Sequence, residues 1–326
     1  MSLIQVEHLT FAYPGSYDNV YDHVSFQFDT DWKLGFLGRN GRGKTTFLRL
    51  VMGQYSHGGS ISHPLPCAYF PYEVPDPSRM TLDILCAVCP AAEEWELLRE
   101  TGLLGVDAEA LYRPFDTLSN GERAKCLLAA LFCGEDRYLL IDEPTNHLDA
   151  AGRRAVASYL RGKRGFLLVS HDRDEVFRLS DSIAIVDDGK IDAFGTKAEV
   201  FANPRTRKGA MLTGCKNISH LEMLEAGKAW ATDWDMELEI PGLTPETGAV
   251  GIRMHDIRPG PGRNGFRCRV VEEIENPFSY TIMLQSVGSA AGSCPIGWEM
   301  EKAVWKRLRA PEIGICLPPE SLLLKD

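Results

Sequence analysis

The sequence predicts two units: an α/β domain with a mainly parallel sheet, then a smaller all-β domain. Three observations carry this. A glycine-rich loop, Gly38-Arg39-Asn40-Gly41-Arg42-Gly43-Lys44-Thr45, joins an apolar strand to a helix. Strands alternate with helices as far as residue 203, the pattern of a sheet with helical crossovers. After Asn203-Pro204 helices become scarce, and short alternating runs sit between Gly/Pro turns.

Leu3–Glu7 and Leu9–Tyr13 alternate enough for an edge strand, and Pro14-Gly15-Ser16 is a turn. Val24–Phe28 alternates cleanly and Lys33–Leu37 is a short buried strand. Thr45–Met52 is helical. The proline-rich stretch from Pro64 to Pro77 contains a short strand at Ala68–Phe70. Residues 80–104 carry helical periodicity through Leu82, Leu85, Val88, Trp95, Leu97 and Leu98, and a helix runs from about Arg123 to Phe132. Tyr138–Glu143 is an apolar strand ending in two carboxylates. A helix at 151–161, a buried strand at Gly165–His171, a strand at Ser182–Val186 and a hairpin turn at Asp187–Lys190 follow. In the second unit Met236–Ile240, Val250–Met254, Phe266–Val271 and Tyr280–Leu284 read as strands of a small barrel.

The loop has the spacing G-x-x-x-x-G-K-[ST]. A helix N-terminus offers free N–H groups and a positive dipole end to a triphosphate. Gly38, Gly41 and Gly43, with Asn40 between them, let the backbone approach phosphates closely. Lys44 is placed for the β- and γ-phosphates, Thr45 for Mg²⁺, and Thr46 follows in the first turn. Asp142 and Glu143 form the second half of such a site. Asp142 is suited to the Mg²⁺ shell, and Glu143 to orienting or deprotonating a water.

The formal charge is −10, with 15 basic and 16 acidic residues in 204–326 and 20 against 29 before it. Neither part is the basic body that would hold nucleic acid through phosphates. No apolar run is long enough to span a bilayer, and the first residues carry no signal-peptide pattern. Any work at a membrane then requires other subunits to do the spanning. Nine scattered cysteines fit reduced thiols in a cytosol. Cys86-x-x-Cys89 is the only close pair, and it reads as part of an apolar helix face with Leu82 and Leu85.

Leu118-Ser119-Asn120-Gly121-Glu122 precedes a helix upstream of the carboxylate strand. Glu143–Asp149 follows that strand, and Val169-Ser170-His171-Asp172 closes the set. With the phosphate loop, this order over residues 3–200 resembles the ATP-binding cassette (ABC) family. The resemblance implies a P-loop NTPase cassette over residues 1–203, with a small α-helical subdomain at about 73–135. It also implies that Tyr13 stacks on adenine and that His171 contacts the γ-phosphate. Ser119 and Gly121 would meet ATP held by a second copy, with Asp149 lining the seam, because the family closes two cassettes head to tail. A homodimer, or pairing with another cassette, is therefore implied. Two departures stand out. Tyr72 occupies the position where the family usually has Gln, and Asn120 replaces a second signature glycine.

Two readings of the kind of cassette compete, and the ATP-hydrolysing subunit of an importer is the favoured one, with the ABC-F class as the alternative. The front portion looks like the ABC-F class, soluble proteins with two cassettes that act on ribosomes, some protecting against antibiotics. The helical linker and second cassette of that class are absent from this sequence. From about Asp174 the chain instead resembles an importer ATPase, peripheral at the inner face of the cell membrane and driving transmembrane permease subunits. Leu212–Ile218 and Val250–Arg258 resemble the TOBE tail of molybdate-type oxyanion importers, an OB-like barrel. That resemblance implies a TOBE-like domain at 204–326 with a connector at 203–217, able to bind an oxyanion. Cys215 and Lys216 are candidates for such an anion site, with linker packing as the alternative. A recombined gene product with no settled partner is a third reading.

Overall fold

A computed structural model describes residues 2–134, 137–202, 204 and 206–325. Glu135 of the expected helical subdomain and Asn203 and Arg205 of the expected connector lie outside the described residues. The chain divides into two compact units, Met1–Ala198 and Glu199–Asp326.

The first unit holds a three-stranded antiparallel sheet of β1 (Leu3–Phe11), β2 (Tyr21–Asp29) and β4 (Gly58–Ser62), in the order β2-β1-β4. β1 therefore lies between two partners and is not the edge strand its alternation predicts. Its pairing slips at His8, which has a positive φ of 49°. The second sheet contains β3 (Lys33–Gly38), β5 (Cys67–Phe70), β6 (Tyr138–Asp142), β7 (Phe166–Val169), β8 (Ser182–Asp187) and β9 (Lys190–Thr196). Its order is β5-β6-β7-β3-β8-β9, with β9 alone antiparallel. Every residue of β6, β7 and β8 is buried, as in a parallel sheet covered on both faces. The parallel arrangement brings the loops after β3, β6 and β7 out at one end of the sheet, where α/β folds bind ligands.

α1 (Lys44–Val51) packs with β1, β2 and the parallel sheet around Phe28, Phe36 and Phe47. A second core joins the sheet to α2 (Thr81–Val88), α3 (Glu94–Leu103) and α4 (Asn120–Phe132). The continuous periodicity of 80–104 breaks into two helices because Pro90 cannot continue the first. Glu93 and Glu96 then cap α3 reciprocally. Cys86 is half-buried against this core, and the buried Cys89 ends α2. α5 (Ala150–Arg161) and α6 (Arg173–Leu179) complete the unit, and α7 (Lys197–Ala202) contains the division.

In the second unit the expected barrel resolves into two five-stranded antiparallel sheets. One contains β10 (Asn217–Glu225), β11 (Lys228–Ala231), β12 (Met236–Glu239), β13 (Ala249–Ile252) and β19 (Leu323–Lys325), in the order β12-β11-β10-β13-β19. The other contains β14 (Arg258–Pro259), β15 (Gly265–Glu275), β16 (Ser279–Ser286), β17 (Ile296–Glu301) and β18 (Glu312–Cys316), in the order β14-β18-β15-β16-β17. Trp234, Trp298 and Trp305 are buried in their common core. Asn217 binds across the core to Gly297: its Nδ2 donates to the carbonyl at 2.7 Å, and its Oδ1 accepts from the amide at 2.8 Å.

Candidate nucleotide site

The phosphate loop leaves the C-terminal end of β3 and ends on Gly43, the N-cap of α1. Each loop glycine answers a different constraint. A Cβ on Gly38 would stand 2.7 Å from the Val186 carbonyl oxygen of β8. Gly41 has open space around it, but its φ of 77° is one that L side chains rarely adopt. Gly43 has both limits, with φ at 94° and Val20 Cγ1 at 2.7 Å from the built Cβ. The buried Tyr21 donates its hydroxyl to the Gly43 carbonyl at 2.8 Å and ties the loop to β2. Asn40 and Gly41 form the exposed tip.

Lys44 Nζ donates to the carbonyls of Gly38 (2.7 Å) and Arg39 (3.1 Å), folding back over the loop. Burial holds its ammonium below the usual lysine value, with the charges of Glu143 and Asp142 opposing. A buried cation at the N-terminus of a helix is suited to a dense anion.

Thr45 Oγ1 donates to Asp142 Oδ2 at 2.6 Å, joining the start of α1 to the end of β6. Tyr69 of β5 donates to the same oxygen at 3.1 Å. Asp142 Oδ1 is buried and has no hydrogen-bond partner among the described residues. A buried carboxylate oxygen without a partner costs about 1–3 kcal/mol. A divalent cation at this oxygen would satisfy it, so the residues present fit Mg²⁺ held through Thr45 and Asp142.

Glu143, the next residue, has a φ of 51°, which is uncommon for a residue with a Cβ. Its amide donates to Val169 O at 2.8 Å and extends the pairing of β6 with β7. Its Oε2 lies 2.7 Å from His171 Nδ1, so the structure brings the two expected catalytic side chains together. Behind them lies Glu175 of α6, 7% exposed. Its Oε2 accepts from Ser170 Oγ at 2.7 Å and Thr145 Oγ1 at 3.1 Å. Burial pushes this carboxyl above its ordinary value, and the two hydroxyls oppose that shift. Glu175 thus pins together the loop carrying Glu143 and the loop carrying His171.

Tyr13 is 41% exposed, at the edge of a cluster with Phe11 and Tyr55. Its hydroxyl shares a 2.7 Å hydrogen bond with Thr46 Oγ1, which sets an exposed aromatic ring beside the first turn of α1. Ser119 is exposed and caps α4, accepting from the Glu122 amide at 3.2 Å and donating to Glu122 Oε2 at 2.7 Å. This reciprocal cap starts the helix at Asn120, three residues before the periodic pattern. Gly121 faces Leu148 Cδ2, 3.2 Å from its built Cβ. Asp149 is exposed and caps α5 by accepting from the Gly152 amide at 2.7 Å.

In the second unit Cys215 is buried, its thiol donating to Asn217 O at 3.2 Å, whereas Lys216 is exposed. The two side chains do not form a common anion pocket.

Sequence reasoning missed Tyr21, Tyr69 and Glu175. For Tyr69 the available signal was its place in a short strand feeding the same sheet edge as Asp142. Glu175 offered a weaker one, a carboxylate one helical turn past His171.

Residues 21–146 match the ABC transporter family model. The Fe(3+) ions import ATP-binding protein FbpC of Streptomyces coelicolor is 31% identical over 231 residues, covering 69% of this chain and 62% of that protein. ATP-binding cassette sub-family F member 3 of Mus musculus is 28% identical over 196 residues, covering 58% of this chain and 28% of that protein. This chain thus spans less than two thirds of the length of either relative. A solved ATP-binding subunit of an ABC transporter is 25% identical at a TM-score of 0.53, covering 61% of this chain and 91% of that one. Among the described residues no helix is long and apolar enough to cross a membrane.

Proposed function

We propose, from the ABC transporter ATPase domain that this chain carries, that it is the ATP-hydrolysing subunit of an importer and works as a head-to-tail pair of cassettes. One observation favours the importer reading over the ribosomal one. The match to the import protein covers 69% of the chain, which is more than the whole first unit, whereas the sub-family F match covers 58%. The importer likeness therefore continues into the second unit. That unit is read as a TOBE-like module, and the solute as a small inorganic ion: molybdate or a similar oxyanion by the resemblance of the tail, with the Fe³⁺ of the named relative as the competing cargo.

In this reading Tyr13 stacks on adenine, while the loop amides and Lys44 hold the phosphates. Thr45 and Asp142 would hold Mg²⁺, which would supply charge neutralisation on the phosphates. Glu143 takes a proton from the attacking water as the β–γ phosphoanhydride bond breaks to give ADP and phosphate. His171 Nδ1 fixes Glu143 Oε2 and presents the other ring nitrogen toward the γ-phosphate. Ser119, Gly121 and Asp149 act on the nucleotide of the partner cassette. The chain would lie at the inner face of the membrane against permease subunits. The ribosome-associated reading keeps the same chemistry with a different partner, and the sub-family F relative favours it.

The Glu143→Gln variant is expected to bind ATP, to hydrolyse it at least tenfold more slowly, and to run as a dimer only with ATP. An unchanged rate removes Glu143 from the mechanism. Passing the trapped dimer over membranes and over ribosomes separates the partners. Co-purification with a multi-span permease supports the importer, and ATP-dependent co-sedimentation with ribosomes overturns it.

A further inference from the structure

The position where an amide would serve the cation holds Tyr72, which is 36% exposed and makes no side-chain hydrogen bond among the described residues. Tyr69, three residues earlier, reaches the site instead. β5 runs parallel to β6 with Tyr69 level with Leu140, two residues short of Asp142. A phenol is long enough to cover that offset, and its hydroxyl meets Asp142 Oδ2 at 3.1 Å. The neighbouring Phe70 faces the opposite core, so the alternation of the strand allows only Tyr69 this approach.

Two hydroxyls, from Tyr69 and Thr45, converge on Oδ2, while Oδ1 is buried and has no hydrogen-bond partner among the described residues. The double contact fixes the carboxylate plane and leaves Oδ1 as its free acceptor.

We propose that Tyr69 is a positioning residue for the divalent cation, holding Asp142 so that Oδ1 is presented to the metal. When the Thr45 hydroxyl turns to the metal, Tyr69 becomes the remaining protein donor on Oδ2. This rests on the nucleotide-site reading above.

The test is binding of a fluorescent ATP analogue to the full chain, measured in EDTA and during a Mg²⁺ titration at fixed nucleotide. Tyr69→Phe removes only the hydroxyl. The variant should bind the analogue in EDTA as the parent does, yet need roughly tenfold more Mg²⁺ for half-saturation, the loss of one hydrogen bond onto a charged oxygen. The same Mg²⁺ requirement in variant and parent overturns the proposal. So does an equal loss in EDTA, which would mark a general packing role. If the parent itself shows no Mg²⁺-dependent binding, the nucleotide-site reading falls as well. A Mg²⁺-dependent parent with an unaffected variant rejects this inference alone.

Discussion

Glu175→Ala should destabilise the first unit without touching any residue placed on the nucleotide. Ser170 is 1% exposed and Thr145 8%, so neither hydroxyl can turn to water once the carboxylate is gone. Ser170 Oγ still accepts from the Asp172 amide at 3.1 Å, but each hydroxyl proton loses its acceptor, at about 1–3 kcal/mol apiece with the 3.1 Å Thr145 contact toward the lower end. Relief of the buried charge offsets part of this, and a loss of about 2–4 kcal/mol remains. Glu175→Gln keeps an oxygen at the same place and mimics the protonated acid. The sign of the pH dependence follows from burial, which raises the folded-state value above the ordinary 4.5. The folded chain then binds this proton more tightly than the unfolded chain. The group's contribution is greatest below about 4.5 and is lost as pH rises through the folded value. The difference between Glu175→Gln and the parent should therefore grow in favour of Gln over that window and then level off. A chain of two units need not unfold in one step, so amide exchange at β6 and β7 is the suitable readout. An Ala variant within about 0.5 kcal/mol of the parent would refute the argument, since that is the scatter of an ordinary surface change. A Gln–parent difference that stays flat with pH would refute the electrostatic half.

Lys44→Ala should abolish tight ATP binding, because the loop then lacks the buried ammonium folded over its carbonyls. Equilibrium titration with labelled ATP measures this, and full retained affinity would contradict the site. Asn217→Ala should lower the melting temperature of the second unit while leaving ATP affinity unchanged. It strips two hydrogen bonds from the buried backbone of Gly297, at a cost of about 2–4 kcal/mol, readable by calorimetry.

The parts of the site legible in the sequence are those that a parallel sheet places automatically. Gly38 to Thr45, Asp142, Glu143 and His171 each stand at or just past the end of a buried strand, and parallel pairing brings those ends together. Tyr69 was not legible because its role depends on lateral reach between neighbouring strands, in a proline-rich stretch with little periodicity. Glu175 was hidden for a related reason: three consecutive acidic or basic residues open the seven-residue α6, and only packing decides which one is buried. In the second unit the alternating runs located β12, β13, β15 and β16. They carried no information on which edges pair, so closure into a barrel could not be decided from pattern.

The two departures from the family pattern bear on different steps than the residues that bind phosphate. Asn120 is the first residue of α4, exposed and outside the left-handed region, so the backbone there does not require glycine. In the proposed pair of cassettes, its Cβ would change the shape of the surface offered to a second copy. Tyr72 is also at the surface, lining a cavity of about 650 Å³ with Arg49, Tyr69, Glu73 and Arg137. Neither side chain takes part in the contacts among Lys44, Thr45, Asp142, Glu143 and His171. A chain altered in these two places should retain nucleotide binding by each cassette. If two copies pair as proposed, its divergence should appear in how firmly they close and how closure is passed to a partner. Partner capture therefore separates the two proposed roles better than any ATPase rate.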